Sequence, residues 1–123
     1  MSDNVRTIML LYSVAGRIVH EIDLDLIDEV GIGFAQASAL LVIDELGEAF
    51  PAQLARLTGS QSQSISGLID RMERGGLLER KRDNRDRRAV RLELTDTGRE
   101  AAARTRAALP ALATGALEGF PAN

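Results

Sequence analysis

The 123 residues carry 45% hydrophobic side chains, 3% aromatics and a formal net charge of −3 at pH 7. This composition fits one domain with a core of Leu, Ile, Val and Ala. With no cysteine in the chain, disulfides, thiol nucleophiles, cysteine redox sensing and thiolate metal sites are excluded. No run approaches the ~18 apolar residues of a bilayer span, and Met1 to Arg6 lacks the basic segment and apolar run of a signal peptide; the expected location is the cytoplasm, with no membrane partner.

Residues 5–28 read as a long helix, with Ile8, Leu11, Tyr12, Ala15, Ile18, Val19, Ile22 and Leu26 near helical spacing. Leu10, Val14, Leu24 and Ile27 widen the stripe beyond one face, which predicts two contacts: the helix's own domain on one side and a partner on the other. Gly31 and Gly33 break the chain. A second helix spans 34–46, with Ala37, Leu40, Leu41 and Leu46 expected inward, and ends near Gly47. A short third helix, 51–57, has Pro51 in its first turn and Leu54 and Leu57 at i, i+3. Gly59 in the Thr58-Gly59-Ser60 connection is suited to the positive φ that ends a helix.

The helix at 62–74 has the cleanest pattern: Ile65, Leu68, Ile69 and Met72 form one apolar stripe on an otherwise polar helix. Gly75 and Gly76 close it. Two strands follow, Leu77 to Arg82 and 89–94, the second with Val90, Leu92 and Leu94 alternating with Arg91 and Glu93. Between them lies the polar tip Asp83-Asn84-Arg85-Asp86-Arg87-Arg88. Thr95 is the predicted cap of a last helix, about 96–118, which Asp96 favours at its positive end and which Pro110 is expected to kink.

Short helix, turn, amphipathic helix and basic hairpin, in that order, describe a winged helix-turn-helix. The charge pattern agrees. Residues 1–50 hold nine acidic and two basic side chains, whereas residues 71–91 hold nine basic (Arg71, Arg74, Arg80, Lys81, Arg82, Arg85, Arg87, Arg88 and Arg91) and four acidic. Screening confines a field to about 8–10 Å, so such a cluster attracts phosphate whatever the net charge. With Ile65 inward, Gln63, Gly67 and Arg74 point outward, and Ser64, Ser66 and Arg71 more obliquely so. Gln, Ser and Arg suit base edges and phosphates, and the hairpin arginines suit a narrow minor groove.

Residues 53–98 resemble the MarR family of winged helix-turn-helix regulators. The resemblance rests on Asp70-Arg71-Met72-Glu73, then Gly76-Leu77-Leu78-Glu79-Arg80, then Asp86-Arg87-Arg88, then Leu94-Thr95-Asp96-Thr97-Gly98, in that order. It implies a mainly α fold with a small β-hairpin, with N- and C-terminal dimerisation helices (1–33 and 95–123) around a DNA-binding domain at 34–94. It implies a homodimer on double-stranded, pseudo-palindromic operator DNA with half-sites about 34 Å apart, no cofactor, and repression relieved by a small anionic or phenolic effector. Carried over by position, Gln61, Ser62, Gln63, Ser64, Ser66 and Arg71 belong to the recognition helix, and Arg85, Asp86, Arg87 and Arg88 to the wing. One of the two tip arginines enters the minor groove, and Asp86 braces the loop by pairing with a neighbouring Arg; which Arg is braced stays open.

Three departures stand out. Gly67 occupies a position where relatives place a long polar residue, Gln61-Ser62 replaces the usual Ser-Pro helix start, and Phe120-Pro121-Ala122-Asn123 reads like the first turn of a further dimerisation helix. The last dimerisation helix is therefore expected to be short or missing, through truncation or as a natural short form with a weakened interface. His20, the single histidine, is read as an ordinary helix residue rather than a metal ligand, and the acidic run Glu21 to Glu29 as a solvated face. Tyr12 is read as core packing, with a place in an effector pocket as the alternative. Neither a phosphate-binding Gly-rich loop nor an acid–base carboxylate pair is present, so catalysis is not expected. The rival reading from another class is a winged domain that contacts only proteins.

Overall fold

The computed structural model describes residues 1–59 and 62–118, and of Ser62 and Gln63 the backbone alone. In chain order it has α1 (Asp3–Val30), α2 (Phe34–Leu46), α3 (Pro51–Thr58), α4 (Ser62–Arg74), β1 (Leu78–Arg82), β2 (Val90–Leu94) and α5 (Asp96–Glu118). The mainly helical winged fold expected from the sequence is therefore present. Among the described residues no single helix is long and apolar enough to cross a membrane.

Two apolar clusters organise the molecule. The first joins α2, α3, α4, the hairpin and the start of α5 through Leu40, Ile43, Leu54, Ile65, Leu68, Ile69, Met72, Leu78, Leu92 and Ala102. All four stripe residues of α4 lie in it, as its spacing predicted. The second joins the C-terminal half of α1 to α5 through Ile22, Leu26, Val30, Ala37 and Ala116, with Phe34, Leu109 and Leu112 packed alongside. The N-terminal half of α1 leaves Ile8, Met9, Leu10, Leu11 and Tyr12 exposed, so the wide stripe has its first contact within the chain and its second face open. Tyr12, at 84% exposure, is not core of this chain, which corrects the core-packing reading.

Helical periodicity also placed Leu46 and Leu57 inward, and both are exposed. Ile43 and Ala55 are buried instead, because α2 and α3 each turn a different edge of their short apolar runs to the core. Val90, at the outer end of β2, is exposed as well, since nothing covers the hairpin there. Pro110 lies inside α5, which runs through it as one element.

Turn chemistry fixes the connections. Gly59 closes α3 in the left-handed conformation (φ 71°) with its N–H donated to Ala55 O, and Gly76 takes φ 75° after α4. Thr95 caps α5: its Oγ1 accepts the Gly98 N–H at 3.0 Å and donates to Gly76 O at 2.5 Å. β1 and β2 pair antiparallel from Leu78↔Leu94 to Arg82↔Val90. Ala49, between α2 and α3, adds a bridge to Leu92 with bonds of 3.0 and 2.7 Å, so the base of the hairpin is tied to the helix-turn-helix from both sides.

Candidate nucleic-acid interface

The two elements that would meet a duplex are α4 and the hairpin. Burying Ile65, Leu68, Ile69 and Met72 turns Ser64, Ser66, Asp70, Arg71, Glu73 and Arg74 of α4 to solvent. Ser60 and Gln61, just before α4, lie outside the described residues, as do the side chains of Ser62 and Gln63. Residues 119–123, and with them the expected further helix turn, also lie outside.

The cluster of nine cations divides once ion pairs are assigned. Arg80, on β1, reaches back to α4 and pairs with Asp70 at 2.6 Å and Glu73 at 2.5 Å. The hydrogen bond that Arg80 donates to Asp70 is the main reason that its guanidinium pKa is raised above the ordinary value. Lys81 pairs with Glu93 at 2.8 Å; that bond raises the lysine pKa and lowers the carboxyl pKa. Arg91 faces Glu48 at 3.2 Å, with Asp83 and Glu93 at 3.8 Å. Arg85 has only long pairs, 3.9 Å to Glu48 and 3.7 Å to Asp83, and is 77% exposed. Among the described residues, Arg71, Arg74, Arg82, Arg87 and Arg88 have no carboxylate partner. Three of the nine cations, Arg80, Lys81 and Arg91, thus help to build the winged domain, Arg85 is only loosely paired at the tip, and the five without a carboxylate lie on α4, the end of β1 and the hairpin tip.

This division gives the D-R-x-E…R motif a structural meaning. Asp70 and Glu73 would otherwise place two negative charges on the exposed side of α4, and Arg80 neutralises both while fastening β1 to that helix. The L-T-x-x-G motif is explained by the Thr95 cap and by close packing: a Cβ at Gly98 would lie 1.9 Å from Leu77 O.

At the hairpin tip, the bracing carboxylate differs in part from the sequence expectation. Asp86 is exposed and its Oδ1 accepts the backbone N–H of Arg88 at 3.0 Å, a local turn rather than a pair with a guanidinium. The internal brace is Asp83, 4% exposed. Its Oδ2 accepts the Asp86 N–H at 3.1 Å, and its Oδ1 faces Arg85 and Arg91. Backbone bonds from Asp83 N to Ala89 O and from Ala89 N to Asp86 O close the loop. Asp83 was missed because six consecutive polar residues give no burial signal; its position three before Asp86, the spacing of a side-chain-closed turn, was the available clue. Arg87 and Arg88 project from this braced turn, both exposed.

Gly67 has one neighbour of note: a Cβ built there would lie 3.4 Å from Arg71 Nη1. The guanidinium of Arg71 therefore lies one turn back along α4, over the glycine. A cleft of about 530 Å³ between α2, the hairpin and α5 is lined by Ile43, Asp44, Lys81, Glu93 and Arg99. Its two cations are engaged by Glu93 and by Asp96, which leaves no uncommitted charge for an anion. His20 is exposed on α1.

Residues 30–89 match the model of the MarR family. A 72-residue stretch is 25% identical to the uncharacterized HTH-type transcriptional regulator YfiV of Bacillus subtilis (strain 168), covering 58% of this chain and 45% of that protein; the match thus spans less than half of that relative's length. A probable transcriptional regulator from Pseudomonas aeruginosa superposes with a TM-score of 0.78 at 25% identity, over 93% of this chain and 84% of that one. A mutant MarR from E. coli complexed with operator DNA superposes with a TM-score of 0.76 at 21% identity, over 98% of this chain and 89% of that one.

Proposed function

We propose that the protein is a MarR-family, sequence-specific DNA-binding transcriptional regulator; the match of residues 30–89 to the MarR family model and the superposition of nearly the whole chain on solved transcriptional regulators support this reading. The observation that carries this reading is the placement of the five arginines without a carboxylate partner on α4 and the hairpin, while the internal pairs of Arg80, Lys81 and Arg91 stabilise the scaffold. That one neighbour of the same fold is complexed with operator DNA supports a DNA-binding reading. α4 enters the major groove with Gln61, Ser62, Gln63, Ser64, Ser66 and Arg71 toward the bases and phosphates. The tip carrying Arg85, Arg87 and Arg88, turned by Asp86, lies along the adjacent minor groove.

The protein binds as a homodimer through residues 1–33 and 95–123, with 34–94 as the DNA-reading domain. The exposed Ile8, Met9, Leu10 and Leu11 supply the apolar surface that a second copy covers. Repression relieved by a small anionic or phenolic compound in the cytoplasm completes the reading. A compound of that class that alters operator affinity by no more than twofold is not the effector.

Arg87→Ala combined with Arg88→Ala tests the DNA reading. With the circular dichroism spectrum unchanged, duplex affinity should fall and the slope of log K against log salt should become shallower by about 2, as two phosphate or groove contacts are lost. Unchanged binding would favour a winged domain that contacts proteins.

A further inference from the structure

Among the described residues, the exposed side of α4 is crowded with charge, and two arginines on it, Arg71 and Arg74, have no carboxylate partner. Asp70 and Glu73 are held by Arg80, and Arg74 turns its Nε to Asp70 O at 3.4 Å. Arg71 makes no ion pair among the described residues. Its Nη1 lies 3.4 Å from where a Cβ at position 67 would stand, in contact range of the glycine and in the path of any longer side chain there.

Helical side chains lean toward the N-terminus and over the residue four positions earlier. At most sequences that spot is filled by the earlier residue's own side chain. Here Gly67 leaves it open, and Nη1 of Arg71 lies over the glycine, toward the N-terminal half of α4. That half is the part of a recognition helix that contacts base edges. The positive charge of Arg71 therefore sits about one helical turn before its own Cα, 5.4 Å along the helix.

We propose that Arg71, seated across Gly67, is the side chain by which α4 reads a guanine in each half-site, through paired hydrogen bonds to O6 and N7. Gly67 is then a specificity-determining position although it has no side chain: it supplies the seat. This rests on the DNA-binding reading and adds to it the base that is read and the residue pair that reads it.

The experiment is selection of bound sequences from random duplex DNA, run in parallel for the unaltered chain and four variants: Arg71→Ala, Arg71→Lys, Gly67→Ala and Gly67→Leu. Position 71 is exposed and 67 half-buried, and retained helix content by circular dichroism confirms that each variant is folded. The unaltered chain should enrich a motif with a guanine at one position of each half-site, favoured about tenfold or more over other bases. Arg71→Ala should flatten that position alone. Arg71→Lys should also flatten it while keeping the salt dependence, because the charge remains and the fork is lost. Gly67→Ala should keep the guanine, since a methyl group only touches Nη1. Gly67→Leu should remove it although Arg71 is still present.

A motif whose guanine survives Arg71→Ala would overturn the inference and leave the DNA reading intact. So would a uniform loss of affinity with no base position changed, which would make Arg71 a phosphate contact. A guanine retained in Gly67→Leu would overturn the role of the seat. No enriched motif from the unaltered chain would overturn both the inference and the reading on which it rests.

Discussion

Asp23, two turns before the C-terminal end of α1, accepts the backbone N–H of Phe34 through Oδ1 at 2.8 Å, across the bend of 72° between α1 and α2. The residue at the start of α2 is Gly33, which has no side chain to cap the helix. Asp23 supplies that cap from another helix, and its negative charge meets the positive end of α2. The approach is close enough that a Cβ on Gly33 would lie 2.4 Å from Oδ1. One hydrogen bond therefore latches the long terminal helix to the first helix of the winged domain.

Asp23→Ala should cost about 1 kcal/mol of stability, the usual loss for a helix cap, and Asp23→Asn should recover most of it because an amide oxygen can also accept. Urea denaturation of the three proteins measures this. Equal midpoints for Ala and wild type would mean that the cap contributes nothing.

Gly98 and Gly115 lie on the same helix and should respond with opposite signs to the same substitution. Gly98→Ala must displace Leu77 O and should cost about 3 kcal/mol, the upper end for overpacking. Gly115 has nothing within 4 Å of its missing Cβ, so Gly115→Ala should gain up to about 0.8 kcal/mol of helix propensity. Thermal melts read both shifts.

Arg80→Gln should weaken duplex binding more than it weakens the fold. The pairs are partly exposed and worth about 1 kcal/mol at most in stability, but their loss uncovers Asp70 and Glu73 on the side of α4 proposed to face DNA. A fall in affinity of about tenfold at low salt is expected, shrinking as salt rises. Adding Asp70→Asn and Glu73→Gln to Arg80→Gln should restore affinity; a triple variant as weak as Arg80→Gln would point to direct contact of Arg80 with DNA.

The Lys81–Glu93 pair gives a pH signature. Glu93 has a folded pKa below its ordinary value through the hydrogen bond from Lys81, so its contribution is present above the unfolded carboxylate pKa of about 4.3 and is lost as pH falls through the lower folded value. The stability difference between the unaltered chain and Glu93→Gln should therefore be steady near neutrality and shrink as acid is added below about pH 4. Urea midpoints collected at several pH values test this. A difference that grows on acidification would contradict the sign of the shift.

The elements that the sequence made legible are those in which burial and periodicity coincide. The α4 stripe, the Thr95 cap, the glycine that ends α3 and the two strands all followed from residue spacing. So did the two-sided character of α1, whose C-terminal half meets α5 while Ile8 and Leu11 stay exposed. Features set by tertiary approach were not legible. Ala49 pairs with Leu92 as a single residue, too short to show any period, and Leu46 and Leu57 looked inward because three or four residues cannot fix the rotation of a short helix.

The site was legible at the level of its elements and less so at the level of charge. Counting nine cations overstated the surface available to phosphate, because Arg80, Lys81 and Arg91 engage carboxylates that are up to 43 positions away in sequence (Glu48 and Arg91). Asp83 looked like one more polar residue of the tip and is instead its buried brace.

Selection of the unaltered protein against random duplex DNA at moderate salt shows whether the chain reads DNA as a symmetric pair of winged domains. Enrichment of a two-fold symmetric motif whose half-sites lie about one helical turn apart is the expected result. Recovery of no motif, or of a single asymmetric site, would contradict it.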